Sequence, residues 1–213
     1  MGHGVRVAAG LLAAVMPLSA EAGQPRDRTW FGTVYVGQWV NGDMADIPRR
    51  AVTGSLGWEP ATFASLIAHR VLVPEIRSGW PLIGRIVDGG SLELEGQFGR
   101  HFGLQRHAEV SLSLVWRSPD VTVPLTDARV NVAFAEGLSY ALSRPTLEGR
   151  EAEDGPQKFL NYLGIEFEVS HPALPGISLV PRLHHRSGIF GLIAPHGGTG
   201  SNFLGLGLRM TLQ

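Results

Sequence analysis

After its first 22 residues the chain has no run approaching the roughly 18 apolar residues that a membrane-crossing helix requires. Apolar residues instead recur at alternate positions through segments of strand length. The pattern is clearest near the C-terminus. In 177–187 the odd positions are Ile177, Leu179, Pro181, Leu183, His185 and Ser187; the even ones are Ser178, Val180, Arg182, His184 and Arg186. In 201–212 the even positions are Asn202, Leu204, Leu206, Leu208, Met210 and Leu212, against Ser201, Phe203, Gly205, Gly207, Arg209 and Thr211. Successive strand residues point to opposite faces, so each segment has one greasy face and one small or polar face. Such strands build a sandwich or a barrel. If the chain enters a membrane it does so as a closed barrel, because no other strand assembly satisfies its backbone in lipid.

Segments of roughly 10–13 residues, the length of a tilted membrane strand, recur along the chain. They read as 29–40, 51–58, 62–73, 91–102, 106–116, 129–142, 157–170, 177–187 and 201–212. Short breakers separate some of them (Glu59-Pro60-Ala61, Gly103-Leu104-Gln105, 172–176), and longer polar loops others (143–156, 188–200). Short turns at one end and long loops at the other are the asymmetry expected of an outer-membrane barrel. Nine segments conflict with the even strand number of bacterial barrels. Eight crossings are therefore expected, with the stretch before Val73 the place to look for a misreading and 74–90 the place to look for an extra strand. In 157–170, Phe159, Asn161, Leu163, Ile165, Phe167 and Val169 share the outer face. Glu166 and Glu168 point to the lumen, where Arg182, Arg186 or Arg209 can pair with them.

Composition agrees with this class. Charged residues make up 17% of the chain, there are 28 glycines, and cysteine is absent, which excludes disulfides and thiolate metal sites. A formal net charge of −1 gives no reason to expect a nucleic-acid partner. Residues 1–22 read as a signal peptide: Arg6, an apolar stretch from Val7 to Leu18, and the small-x-small site Ala20-Glu21-Ala22. The expected organisation is a signal peptide over 1–22 and an all-β, antiparallel transmembrane β-barrel of about eight strands over 23–213, exported to the outer membrane. An exported soluble sandwich or lipocalin-like barrel would alternate too, with its apolar face inward. Low charge and the uncharged greasy faces favour lipid. Leu179, Leu183, Leu204 and Leu208 are expected to face hydrocarbon.

The chemistry concentrates in Arg182-Leu183-His184-His185-Arg186-Ser187-Gly188, followed by a glycine-rich loop and a last apolar strand. Residues two apart on a strand share a face, so His185 can lie beside Ser187 and take its proton. A hydroxyl–imidazole pair on a lipid-facing surface is costly unless it has a use. Over about its last forty residues the chain resembles the lipid A deacylase family (PagL-like, acyloxyacyl hydrolases). The resemblance implies an eight-stranded barrel that removes an ester-linked acyl chain from the lipid A of lipopolysaccharide. It places the family's catalytic His-x-Ser on His185-Arg186-Ser187, with lipopolysaccharide and outer-membrane lipid as partners and no cofactor. Two positions depart from the family. Its orienting glutamate aligns with Gly200, and the asparagine after its serine is Gly188. Asn202 is the first substitute as orienter of His185, since an amide can fix a histidine tautomer. Asn161 is the second. The backbone N–H of Gly188, in the stretch 188–191, is the candidate oxyanion donor. The alternative is a catalytically degenerate barrel with a structural or lipid-binding role.

Other residues carry less. His184 faces away from His185, into the lumen. His69, His101, His107 and His196 lack metal-ligand spacing and read as structural. Gly197 to Gly200 lacks the lysine and helix of a phosphate loop. Trp30, Trp39, Trp58, Trp80 and Trp116 are candidate interface anchors or packing residues. Arg150, Arg182 and Arg186 read as loop or lumen charges.

Overall fold

A sheet of alternating strands has two edges with unpaired backbone groups, and in this protein the two edges meet. The computed structural model describes residues 30–148, 155–189, 192–193 and 200–212. The strands are β1 (Trp30–Asn41), β2 (Gly57–Val73), β3 (Ser91–Gly103), β4 (Ala108–Arg117), the two-residue β5 (Val121–Thr122), β6 (Arg129–Ala141), β7 (Phe159–Ser170), β8 (Ile177–Ser187) and β9 (Gly200–Leu212). All pairings are antiparallel between sequence neighbours, β1 pairs with β9, and β4 pairs with β6. The result is a closed eight-stranded barrel, with β5 an appendage on the edge of β6. Trp30 pairs with Leu212, so one rim, here called the terminal rim, carries both ends of the described barrel. The opposite rim is the far rim. No described helix is long and apolar enough to cross a membrane.

The strand count of eight follows from one local correction. The expected separate strand at 51–58 does not exist; only Gly57 and Trp58 are strand, as the first residues of β2. Ala51 and Val52 end helix α1 (Ile47–Val52), which has proline in its first turn, where a missing N–H costs nothing. Gly54, at φ +67°, then turns the chain out of the helix. Glu59-Pro60-Ala61 is likewise no breaker but part of β2. A register shift between Gln38 and Val40 absorbs it, and β3 ends opposite Ala61, so Pro60 lies where β2 has lost that neighbour. The stretch 74–90 holds the short helix α2 (Gly84–Val87) and no strand. The expected asymmetry of the loops is also wrong. The terminal rim carries 74–90 and 118–128 as well as the tight 171–176, while the far rim carries the short 104–107 turn beside 42–56 and 142–158. Hydrogen bonds at the base of 74–90 (Ile76 N to Gly90 O, 2.7 Å) and the β5–β6 pairing hold the terminal-rim loops against the barrel.

The alternation resolves as greasy outside, polar inside. Leu66, Leu112 and Phe98 are 64%, 60% and 56% exposed, whereas the largest fully buried side chains include Arg117, Arg182, Arg186 and Arg209. A soluble barrel would invert this order. The lumen is filled. In its terminal half Arg117 donates to Glu93, Glu166 and Glu168, Arg182 to Glu95 and Glu166, and Arg209 to Glu93. Around its middle lie Tyr35, Phe63, Tyr162 and Phe203. Inward glycines make room for these rings: a Cβ at Gly99 would meet Phe63 at 2.3 Å, and one at Gly164 would meet the Tyr162 hydroxyl at 2.6 Å. The far half holds His101, His107, Glu109, His184, Arg186 and Glu148.

On the outside, the 42–56 connection folds down over β8, β9 and β1. Ile47 packs with Val40 and Leu183, with Met44, Leu56, Ile165 and Leu204 around them. Leu179 and Leu208 are open on the outer face, at 47% and 44% exposure. Leu183 and Leu204 also point outward but lie under this connection, so protein covers them.

Candidate functional site

The register of β7, β8 and β9 sets the geometry around His185 and Ser187. Ser187 lies opposite Asn161 on β7 and Gly200 on β9; His185 lies opposite Leu163 and Asn202. All sit on the outer face near the far rim, next to the 42–56 connection. His184 and Arg186, between them in sequence, are fully buried in the lumen.

His185 Nδ1 lies 2.7 Å from Asn202 Oδ1, and Asn202 Nδ2 donates to the Gly42 carbonyl at 2.8 Å. These two contacts determine a proton position. A carbonyl oxygen only accepts, so the amide must turn its NH2 to Gly42 and its oxygen to His185. An oxygen facing Nδ1 in turn requires Nδ1 to carry the hydrogen, which leaves the Nε2 lone pair available. That is the tautomer in which a histidine can accept a serine proton. Ser187 Oγ has no hydrogen bond among the described residues, and none joins it to His185. Gly188 begins the far-rim loop directly after Ser187.

A second polar pair adjoins this one. Asn161 Nδ2 donates to Glu136 Oε1 and to the Gly137 carbonyl, the latter at 3.0 Å. Glu136 is an exposed carboxylate on the outer face of β6, opposite Leu163. Glu136, Asn161, Ser187, His185 and Asn202 thus form a polar strip across four strands of an otherwise greasy wall. Sequence reading missed Glu136, although a signal was present. The even positions of β6 are Val130, Val132, Phe134, Glu136, Leu138 and Tyr140, and one acid among apolar and aromatic residues stands out. The Gly42 carbonyl, which sets the Asn202 amide, has no sequence signature.

The other residues singled out fall as follows. Glu166 and Glu168 face the lumen and pair with arginines there, as does His184 with Glu109 at 3.0 Å. His69, His101 and His107 are buried in the lumen. Trp30, Trp58 and Trp80 are exposed, whereas Trp39 is buried; Trp116 stacks on Phe134. The signal peptide expected over 1–22, Arg150, His196 and Gly197 to Thr199 lie outside the described residues, as do Phe190 and Gly191 of the 188–191 stretch.

No family model and no curated protein matches the sequence. Solved structures do match. The outer membrane enzyme PagL superposes with a TM-score of 0.54 at 12% identity, covering 85% of this chain and 99% of that one. Neisserial surface protein A gives 0.48 at 11% identity, covering 91% and 99%. The N-terminal β-barrel domain of Pseudomonas aeruginosa OprF gives 0.44 at 10%, covering 87% and 98%. At these identities the likeness to PagL concerns the fold: a closed, antiparallel, eight-stranded barrel.

Proposed function

We propose that this chain is an outer-membrane barrel that hydrolyses an acyl ester of a membrane lipid, lipid A of lipopolysaccharide being the substrate. Ser187 is the nucleophile, His185 the general base and Asn202 its orienter. The observation that carries this reading is the relay from the Gly42 carbonyl through the Asn202 amide to His185 Nδ1, which leaves Nε2 as a proton acceptor. It stands on the outer wall, two residues along the strand from a serine with no competing hydrogen bond among the described residues. The apolar outer surface supports a bilayer location, and a lipid ester reaches the wall from the side.

The chemistry balances without a cofactor. Ser187 Oγ attacks the ester carbonyl carbon while its proton passes to His185 Nε2. The tetrahedral oxyanion takes a hydrogen bond from the Gly188 N–H. The imidazolium returns the proton to the departing alkoxide, leaving an acyl-serine. Water then attacks with the same base, which releases the fatty acid and regenerates the hydroxyl. The amide of Asn202 supplies orientation without a negative charge, so the imidazolium is stabilised less than by a carboxylate. Glu136, linked through Asn161, is the nearest carboxylate of the strip and offsets part of that charge across the surface.

The test is mass spectrometry of lipid A from a Gram-negative host with and without the protein. Loss of one acyl chain is expected with the native sequence, and none with Ser187→Ala or His185→Ala. Asn202→Ala should lower the rate on the order of a hundredfold while leaving the substrate-concentration dependence nearly unchanged, since it frees the tautomer. Unaltered lipid A with the native, folded protein would favour a purely structural or lipid-binding barrel. One observation already leans that way: the 42–56 connection covers part of the wall beside His185.

A further inference from the structure

The far half of the lumen contains a group of side chains that the hydrolytic reading does not use. The tight turn 104–107 folds β3 back on β4, and His101 N donates to His107 O at 2.8 Å, which sets the two histidines opposite one another. Glu109 lies two residues beyond His107 and therefore on the same inward face. All three are buried, at 1%, 3% and 1% exposure. The rings of His101 and His107 stack with centroids 4.0 Å apart. One nitrogen from each histidine and one Glu109 oxygen lie within 4.8 Å of one another.

The bonding of this group is incomplete. His101 Nε2 lies 2.8 Å from Glu109 Oε2, but His101 Nδ1 and both ring nitrogens of His107 have no hydrogen-bond partner among the described residues. The nearest carboxylate to His107 Nε2 is again Glu109, at 3.8 Å. A buried polar atom without a partner costs about 1–3 kcal/mol, so native interiors rarely tolerate several in one place. The remaining bonds act as an outer frame. Ser139 donates to Glu109 Oε1 at 2.8 Å, and His184 Nε2 lies 3.0 Å from the same oxygen. The guanidinium of Arg186 is held by both oxygens of Glu148, and its Nε lies 3.6 Å from Glu109 Oε2. That frame fixes the carboxylate and largely neutralises the guanidinium.

We propose that His101, His107 and Glu109 bind a divalent transition-metal ion of the zinc, cobalt or nickel type. Two imidazoles and one carboxylate are the donor set those ions prefer, and hard, oxygen-seeking ions such as calcium do not. Around a tetrahedral ion with bonds of ~2.1 Å, ligand atoms stand roughly 3.4 Å apart. The present contacts of 2.8 Å and 3.8 Å lie on either side of that spacing. Small rotations of the two rings, fanning them from their stack, would bring both nitrogens to one point. Binding breaks the His101–Glu109 hydrogen bond and uses the lone pair of a neutral His107. The other three-membered group in the lumen, His69 with Glu95 and Glu166, is a poorer host. Its carboxylates already receive Arg182 and Arg117, whose charges oppose a cation.

The experiment uses the full, untagged chain refolded in detergent micelles, stripped with chelator and dialysed against Zn²⁺ or Co²⁺. One ion per chain is expected, with the visible absorption of tetrahedral Co²⁺ and a rise in thermal midpoint on adding Zn²⁺. The His101→Gln/His107→Gln double variant should lose affinity by on the order of a hundredfold, the scale that even outer-shell partners can reach. Single His107→Gln, which removes no hydrogen bond, should show the same loss and guards against misfolding of the double variant. His171→Gln, in a rim turn, should bind as the native chain does. Failure of the native chain to take up one ion at micromolar concentrations overturns the proposal. So does undiminished binding by His107→Gln, which would locate the ion elsewhere.

Discussion

The two halves of the lumen are both polar and equally buried, but they are stabilised differently. In the terminal half, Arg117, Arg182 and Arg209 meet Glu93, Glu95, Glu166 and Glu168 in a network where almost every guanidinium and carboxylate has several partners. Among the described residues of the far half, imidazoles outnumber guanidiniums, and ring nitrogens of His101, His107 and His184 lack hydrogen-bond partners. Although Glu95 Oε2, Arg182 Nε and Arg209 Nη1 have no hydrogen bond among the described residues, this ion network tolerates no deletion, because each removed partner strands a charge where water cannot reach it. An imidazole with an unbonded ring nitrogen forfeits fewer contacts when it is removed. The comparison therefore divides the barrel into a half built for rigidity and a half with spare ligand capacity.

Three substitutions can break or sharpen that division. The largest effect is expected from Arg117→Ala, which abandons Glu93, Glu166 and Glu168 together; a loss of about 3–5 kcal/mol is the scale for breaking a buried ion pair. Urea titration of the refolded barrel in lipid vesicles would measure it. Next, Tyr162→Phe removes a hydroxyl that donates to Glu95 and accepts from Arg182, at a cost of about 1–2 kcal/mol in the same assay. Smallest, His107→Gln in metal-free protein should change stability by less than ~1 kcal/mol, since neither ring nitrogen is bonded among the described residues. If His107→Gln were as damaging as Arg117→Ala, the two halves would be alike and the division would fail.

The parts legible in the sequence were those governed by a period of two. β8 begins and ends where alternation places it, and the lumen position of Glu166, Glu168, Arg182 and Arg209 follows from parity alone. Parity breaks down where another rule dominates. Residues 51–58 mix apolar and small residues in a way that suits a strand, but proline in the first turn and Gly54 in a left-handed conformation make a helix end and a turn of 51–56, leaving only Gly57 and Trp58 to begin β2. Pro60 reads as punctuation, yet it sits where β2 has lost its β3 partner. The neighbours Asn161 and Asn202 could be placed by face, but the Gly42 carbonyl that orients Asn202 comes from 160 residues away in the chain. The metal site proposed at His101, His107 and Glu109 has no sequence signature for a related reason. Separations of six and eight residues resemble no metal motif until a hairpin is drawn through Gly103, whose φ of +85° permits the turn.

The filled interior has a further consequence. With Arg117, Arg182, Arg186 and Arg209 locked crosswise between facing strands, the described part of the barrel offers hydrated ions no aqueous route from rim to rim. Inserted into a planar bilayer, the protein should pass no steady current under an applied voltage. In the bilayer location proposed for it, whatever it exchanges with its surroundings along these strands must come sideways, out of the lipid, against the wall.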